Sequence, residues 1–190
     1  MQDPTTIVAQ LFALYETRGH AEYSGEPVSQ LAHMWQAAAL AAAAGYDDEV
    51  VLAAFFHDLG HLCAPEAASM DGYGAAQHEQ LGADYLRARG FSDRLTRLVA
   101  GHVQAKRYLT HRDPAYYAQL SAASRATLAF QGGPMTAAEA AAFEQDPDAE
   151  VLLQLRRWDE QAKEADLPTG DLTPLKRLAL AHLRGQLLAA

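Results

Sequence analysis

Apolar residues recur along this chain every three or four positions, the spacing that places them on one face of an α-helix. The first such segment, residues 4–17, has an apolar face made of Ile7, Leu11, Leu14 and Tyr15. Alanine and leucine dominate the chain, and β-branched residues are sparse. The pattern therefore predicts an almost wholly helical protein without a convincing strand.

Capping residues and glycines predict where the helices begin and end. Asp47 or Asp48, and later Ser92, suit the N-cap position, Thr136 can form a capping box with Glu139, and Thr173 is a cap followed by a proline at the first helical position. Residues 62–74, which contain proline and glycine, are predicted to form a loop. The predicted helices are residues 4–17, 29–44, a segment from Asp47 or Asp48 to near Gly60, 75–89, a segment after Ser92 that carries His102, 121–131, 137–145, 149–165 and 174–187.

The chain has 190 residues and a mass of 20.6 kDa, which is enough for one hydrophobic core and too little for two comfortable domains. No internal repeat, low-complexity tract or linker divides it. We expect a single domain, residues 1–190, built as an all-α bundle of seven to nine helices.

The charge balance narrows the classes of partner. There are 24 acidic and 15 basic side chains, giving a formal net charge of −9 at pH 7, so nucleic-acid and anionic-membrane binding are disfavoured. The longest apolar stretch, near residues 37–44, is far shorter than the roughly 20 residues of a membrane span. The N-terminus lacks a signal-peptide pattern, and the single Cys63 suits a reducing compartment, so we expect a cytoplasmic protein.

Histidine and aspartate residues on or at the ends of predicted helices form a candidate metal site. The adjacent pair His57 and Asp58 ends an apolar helix, where burial without a metal or partners would be costly. A carboxylate has two oxygens and can bridge two cations, and mixed histidine and carboxylate ligands suit iron, manganese or zinc. The residues alone thus indicate a metal site without naming its reaction. The full set is His33, His57, Asp58, His78, His102 and Asp159.

Several stretches, taken together, resemble one known family. They are residues 23–31 followed by His33, then 53–63, 102–110, 128–135 and 157–163. The order of a histidine, a His-Asp pair and a distant aspartate resembles the HD-domain superfamily, and the two further histidines resemble its dinuclear subset. Within that subset the chain resembles the PhnZ-type mixed-valence di-iron oxygenases, which cleave phosphonates, and their branch for trimethylated substrates. The resemblance implies an HD-domain helical bundle.

The resemblance also implies a cofactor and a reaction. The cofactor would be two iron ions, as an Fe(II)/Fe(III) pair, with dioxygen as co-substrate. The reaction would be oxidative cleavage of the carbon–phosphorus bond of a small 1-hydroxy-2-aminoethylphosphonate-type molecule. The ligands implied are His33, His57, Asp58 and Asp159 for one iron and Asp58, His78 and His102 for the other, with Asp58 bridging.

Substrate contacts are implied by the same resemblance. Tyr23 would occupy a position on the first iron in the resting state, and Glu26 would contact the amino end of the substrate. Lys106, one helical turn after His102, would meet the phosphonate. His61, Ser124 and Arg157 would make further contacts with the anionic end of the substrate. The adjacent Arg156 is the alternative to Arg157, because neighbours on a helix cannot both face the site.

Two substrates and two other functions stay open. An acid that faces the substrate favours a substrate with a cationic end. That end is either a primary amine, which gives glycine and phosphate, or a trimethylammonium, which gives glycine betaine and phosphate. The primary amine ranks slightly ahead. An HD-domain phosphohydrolase acting on a phosphate ester or nucleotide would use the same ligands to activate water. A helical binding module with a degenerate site is disfavoured, because every ligand position is filled.

Overall fold

The computed structural model describes residues 2–23, 25–64 and 66–189, and this part of the chain contains eleven helices. They are α1 (Pro4–Arg18), α2 (Gln30–Ala43), α3 (Asp48–Phe56), α4 (Gly60–Cys63), α5 (His78–Arg87), α6 (Asp93–Arg112), α7 (Pro114–Gln119), α8 (Ala122–Phe130), α9 (Ala137–Phe143), α10 (Ala149–Gln161) and α11 (Thr173–Ala189). Within the same residues, β pairing is limited to two isolated bridges. None of the described helices is both long and apolar enough to cross a bilayer. The predicted all-α class is confirmed.

All nine predicted helices are present, and three of the predicted N-caps are confirmed. Asp47 and Ser92 each accept a hydrogen bond from a backbone N–H of the helix that follows, and Thr136 completes a capping box. The predicted cap at Thr173 is not confirmed, because α11 begins at Thr173 itself. Ser29 caps α2 in the same way as Ser92 caps α6. The predicted total of seven to nine was too low, because α4 and α7 are additional. These two helices have only four and six residues, too few for an apolar period to show in the sequence.

Besides α3, which ends at Phe56 rather than near Gly60 because a turn precedes α4, two helix ends differ from the prediction. α5 begins at His78 rather than near residue 75, because Gln77 has a left-handed backbone with φ of 58° that cannot continue a right-handed helix. α10 ends at Gln161 rather than near residue 165, and the carbonyl of Ala162 accepts a hydrogen bond from His33 Nδ1 at 2.9 Å. Both irregular ends therefore lie where they position a histidine.

The core is organised around α3. Residues 50–56 of this helix are each at most 5% exposed, and the helix packs against α2, α6, α10 and α11. Phe55 stacks on Phe12 and Tyr15 of α1 with ring centroids 5.5 and 4.5 Å away. Burial of such a ring contributes about 1.5–3 kcal/mol. The C-terminal end of α3, where His57 lies, is therefore anchored in the most buried part of the bundle.

A close contact between α4 and α5 depends on glycine at position 60. A Cβ on Gly60 would lie only 2.0 Å from the carbonyl oxygen of His78, a distance that no side chain tolerates. Because glycine has no Cβ, the first residue of α5 can lie against the backbone just after Asp58. This contact brings the middle histidines of the candidate metal site together.

Candidate metal centre

Four histidine side chains meet at the centre of the bundle. His33 comes from α2, His57 from the C-cap of α3, His78 from the first residue of α5 and His102 from the middle of α6. Each is at most 4% exposed. Their Nε2 atoms form two close pairs, 3.1 Å apart in His33 and His57 and 3.1 Å apart in His78 and His102. The four rings thus form two adjacent halves of one buried site.

Every one of these rings is oriented by a backbone carbonyl. A carbonyl oxygen only accepts, so each Nδ1 carries a proton, and in a neutral ring Nε2 presents a lone pair. Two such lone pairs 3.1 Å apart repel, so each half calls for a positive charge between its two Nε2 atoms, either a proton on one ring or a metal ion. The Nδ1 to oxygen distances are 2.9 Å from His33 to Ala162, 2.8 Å from His57 to Ala54, 3.3 Å from His78 to Ala75 and 2.8 Å from His102 to Val99.

Asp58 lies between the two halves and faces both. Its Oδ2 is 3.4 Å from His57 Nε2 and 3.6 Å from His33 Nε2. Its Oδ1 is 3.2 Å from His78 Nε2 and 3.5 Å from His102 Nε2. Among the described residues, Oδ2 has no hydrogen-bond donor although it is fully buried. A buried anionic oxygen without a donor is the arrangement that a bound cation satisfies.

Asp159 of α10 completes the half that contains His33. Its Oδ1 is 3.5 Å from His33 Nε2, and its Oδ2 accepts a hydrogen bond from the Arg156 guanidinium at 2.5 Å. Arg156 is itself buried and also donates to Tyr116 and Glu160, both at 2.9 Å. The arginine therefore fixes one carboxylate oxygen and leaves the other directed at the histidines.

The carboxylates keep their charge in this buried position. Burial alone raises the pKa of Asp58, but the neighbouring His57 and His78 hold it well below its usual value. Burial acts likewise on Asp159, whose pKa is lowered chiefly by Arg156. Although burial lowers the pKa of His57, Asp58 outweighs it and raises that pKa to about 9. The site therefore attracts positive charge.

The donor set fits two metal ions. Two groups of three ligands have their donor atoms within 4.8 Å of one another, and both groups contain Asp58. Nitrogen and carboxylate donors suit iron, manganese or zinc, and the shared carboxylate has one oxygen for each group. The structure thus brings together all six residues predicted as ligands. The groups are His33, His57 and Asp58, and Asp58, His78 and His102.

Tyr23 covers the His33 side of the centre. Its ring stacks on the imidazole of His33 at 4.3 Å between centroids and 14° between planes. Burial, and then the charges of Asp58 and Asp159, raise the pKa of the phenol well above its usual value. The loop is tight because Gly25 takes a φ of 79°. Tyr23 therefore lies beside the group that contains His33, and its predicted place on the first iron stays a prediction.

Glu26, from the same loop, lies at the wall of the cavity over the metal groups and is 8% exposed. Its Oε1 accepts hydrogen bonds from Ser121 Oγ at 2.6 Å and from Lys163 Nζ at 2.5 Å. Glu26 was predicted at the site from the sequence, whereas the pairing of Lys163 with it was not. No local pattern connects these two residues, because 137 positions separate them along the chain.

Lys106 and His61 also line this cavity. Lys106 is 3% exposed and donates to Thr127 Oγ1 at 3.0 Å. Burial, and then the charge of Arg156, lower the pKa of Lys106 to about 7. The His61 ring stacks on His78 at 4.1 Å, and burial lowers its pKa to about 3, so it stays neutral at pH 7. Lys106 can therefore gain or lose its charge near pH 7, depending on what lies beside it in the cavity.

The assignment of Arg157 to the site is wrong. Arg157 is exposed and donates to Gln154, whereas its neighbour Arg156 lines the cavity and donates to Ser124 Oγ at 3.4 Å. The reason is helical phase. Arg156 precedes Asp159 by three residues and shares its face of α10, while Arg157 lies only two residues away and points elsewhere.

Further residues line the cavity that the sequence analysis did not name. Gln30 lies three residues before His33 on α2, and Thr127 lies three residues after Ser124 on α8. Residues three apart share one face of a helix, so the spacing that places Arg156 with Asp159 also predicts that Gln30 and Thr127 face the cavity. Tyr73, in contrast, comes from the irregular segment before α5, where no periodic signal exists.

Comparison with known proteins agrees with this geometry. The HD domain family model matches residues 31–128. Over 166 residues, 87% of this chain and 84% of the relative, the chain is 40% identical to the [1-hydroxy-2-(trimethylamino)ethyl]phosphonate dioxygenase (glycine-betaine-forming) of Leisingera caerulea. Over 171 residues, 89% of this chain and 84% of the relative, it is 40% identical to the hydroxymethylphosphonate dioxygenase of Gimesia maris. It is also 40% identical over 165 residues, 86% of this chain and 74% of the relative, to an uncharacterized protein of Acanthamoeba polyphaga mimivirus.

Proposed function

Because this chain belongs to the HD-domain phosphonate oxygenase family, we propose that it uses dioxygen to cleave the carbon–phosphorus bond of a small 1-hydroxyphosphonate. The products are phosphate and a carboxylic acid. The observation that carries the proposal is the pair of three-ligand groups that share Asp58. Two relatives named as dioxygenases of hydroxyphosphonates support the same chemistry.

We assign the centre to two iron ions in an Fe(II)/Fe(III) pair. When bound, iron supplies Lewis acidity and the one-electron chemistry that reaction with dioxygen requires. The chain contributes fixed ligands, since four backbone carbonyls orient the histidines and Arg156 orients Asp159. The ligands assigned are His33, His57, Asp58 and Asp159 for one iron and Asp58, His78 and His102 for the other.

The phosphonate end of the substrate is assigned to the wall that carries Lys106 and Arg156. Both cations are buried there, and the hydroxyls of Ser124 and Thr127 lie beside them. A phosphonate dianion next to Lys106 favours the charged ammonium and offsets the effect of burial on its pKa. Lys106 therefore becomes a full cation when the substrate arrives, and neutral His61 on the same cavity wall supplies a hydrogen bond rather than a charge.

The amino end is assigned to Glu26 and Gln30. Among the described residues, the buried Oε1 of Gln30 has no hydrogen-bond donor, and Gln30 lines the cavity together with Glu26. A primary ammonium carries three N–H donors and satisfies both acceptors, whereas a trimethylammonium has no donor and prefers aromatic faces. Tyr23 and Tyr73 also line the cavity, but only a primary ammonium can satisfy the buried oxygen of Gln30. We therefore rank 2-amino-1-hydroxyethylphosphonate, which yields glycine, ahead of its trimethylated analogue.

Tyr23 is assigned a gating role at the His33 side of the centre. Its ring stacks on His33, and burial, and then the charges of Asp58 and Asp159, raise the pKa of its phenol. It belongs to a loop rather than a helix, so it can leave the centre without disturbing the bundle. In this proposal Tyr23 would move away and so give the hydroxyl and phosphonate oxygens of the substrate access to this side of the centre.

The test is an assay of the iron-reconstituted, ascorbate-reduced protein with hydroxymethylphosphonate, 2-amino-1-hydroxyethylphosphonate and the trimethylated compound. Phosphate release and dioxygen uptake are followed together. We expect one phosphate per dioxygen consumed, with the primary amine as the fastest substrate. Phosphate release from none of the three, combined with turnover of a phosphate ester under argon, would instead identify a phosphohydrolase.

A further inference from the structure

The acid at the amino end of the cavity is already paired. Glu26 Oε1 accepts from Lys163 Nζ at 2.5 Å and from Ser121 Oγ at 2.6 Å, and the side chains of Glu26 and Lys163 are only 8% and 16% exposed. The pair joins the loop before α2 to the segment that follows α10. Because the two charges cancel at close range, a substrate cation gains little attraction from Glu26 while Lys163 stays in place.

Lys163 reaches Glu26 from outside the cavity. It lines a separate surface groove with Tyr116, Ser121 and Glu160, and Ser124 lines both this groove and the cavity. The lysine stem is flexible, its side chain is 16% exposed, and the groove also contains Glu160, whose carboxylate already pairs with Arg156. The ammonium of Lys163 can therefore turn from Glu26 into the groove without a change in the backbone.

We propose that Lys163 determines which hydroxyphosphonates this chain prefers, because it is a counter-ion that a cationic substrate must displace from Glu26. The inference rests on the proposed function and deepens it. A substrate without an amine leaves the pair intact and binds beside a neutral wall. A substrate with a cationic end uses part of its binding energy to move Lys163. The Glu26–Lys163 pair thus reduces the preference of the cavity for cationic hydroxyphosphonates over hydroxyphosphonates that lack an amine.

The test compares the wild-type protein with Lys163→Met, which keeps much of the side-chain volume and removes the charge. Binding of hydroxymethylphosphonate and of 2-amino-1-hydroxyethylphosphonate to the iron-loaded proteins is measured by calorimetry under argon. kcat/KM for both substrates is then measured in air. We expect Lys163→Met to raise the preference for the aminated substrate about tenfold in both measurements. Lys163→Arg, which keeps the cation, should retain the wild-type preference within about twofold.

The matched control is Lys176→Met, which removes a partly exposed lysine paired with Glu16 on the surface. It should leave the preference unchanged, and melting temperatures show whether each variant is folded. An equal loss of affinity for both substrates in Lys163→Met, or an unchanged preference, would overturn the role of Lys163 while leaving the proposed function intact. Binding of neither phosphonate by the wild-type protein would overturn both.

Discussion

Asp58 holds the two halves of the metal centre together, because each of its oxygens faces a different pair of histidines. Its Oδ2 is buried without a donor among the described residues, and although burial raises the pKa of the carboxyl, the nearby charges of His57 and His78 hold it well below its usual value. In the metal-free protein the ionised carboxylate therefore adds to stability, and a bound cation would satisfy the oxygen that has no donor. The charge of this one residue thus serves both metal binding and the metal-free fold.

Asp58→Asn should consequently weaken both metal binding and the metal-free fold. The amide removes an anionic oxygen, so we expect the iron content to fall from two per chain to at most one, measured by elemental analysis after desalting. The metal-free variant should be less stable toward urea than the metal-free wild-type protein at pH 7, because the lowered pKa of Asp58 means that its charge adds stability above the ordinary carboxyl range. This difference should shrink as the pH is lowered through that range and below it. Asp84→Asn, on the exposed face of α5, is the control and should retain both ions. Two tightly bound ions in Asp58→Asn would contradict the bridging role.

Lys106 should give the reaction a pH dependence. Its pKa is lowered to about 7, so the ammonium is present below that pH and is lost as the pH rises through it. The kcat/KM advantage of the wild-type protein over Lys106→Met should be about tenfold at pH 6 and should shrink toward pH 8.5. Both proteins use the same substrate, so the titration of the phosphonate itself cancels in the ratio. An advantage that is constant with pH would remove Lys106 from the phosphonate contact.

At the scale of the helices, the periodic parts of the chain were predictable and the irregular parts were not. Nine helices follow from apolar spacing, and their caps follow from single side chains that bond locally. α4 and α7 are too short to repeat a period. The end of α10 depends on a distant bond from His33 to Ala162, and the pairing of Glu26 with Lys163 depends on tertiary contact. The six candidate ligands named from the sequence lie together in the structure, and most of the residues predicted to contact the substrate line the cavity. Arg157 was misassigned because helical phase was not applied.

The contact of α4 with α5 gives a prediction at this scale. Gly60→Ala places a Cβ 2.0 Å from the His78 carbonyl oxygen, a backbone atom that cannot move aside. We expect a loss of about 3 kcal/mol in the free energy of unfolding of the metal-free protein, measured with urea. The control is Gly185→Ala in α11, where a Cβ meets nothing within 4 Å. That change should stabilise slightly, by about 0.5–1 kcal/mol. Equal effects of both substitutions would contradict the close contact.

At the scale of the whole molecule, the candidate ligands come from α2, α5, α6, α10 and the turn after α3. These elements are far apart in the sequence, and their side chains meet at the charged centre. In the proposed function the same centre receives the phosphonate from one wall and the amino group from another. Metal binding should therefore stabilise the entire bundle rather than one loop.

Iron loading should accordingly raise the melting temperature. At a free metal concentration about 100 times the dissociation constant, linkage gives about 2.7 kcal/mol. For a chain of this size that corresponds to a rise of roughly 5–11 °C. Calorimetric melting under argon, with and without a chelator, measures the difference. A melting temperature that does not respond to the chelator in a protein shown to contain iron would contradict a centre that ties these helices together.

The most direct measurement of the central claim is an isotope experiment on the reduced, iron-loaded protein with 2-amino-1-hydroxyethylphosphonate. The reaction is run with ¹⁸O-labelled dioxygen in ordinary water, and glycine and phosphate are analysed by mass spectrometry. Oxidative cleavage of the carbon–phosphorus bond predicts label from dioxygen in the products and no reaction under argon. Phosphate formed under argon, together with products that contain no ¹⁸O when labelled dioxygen is present, would show that the centre performs hydrolysis instead.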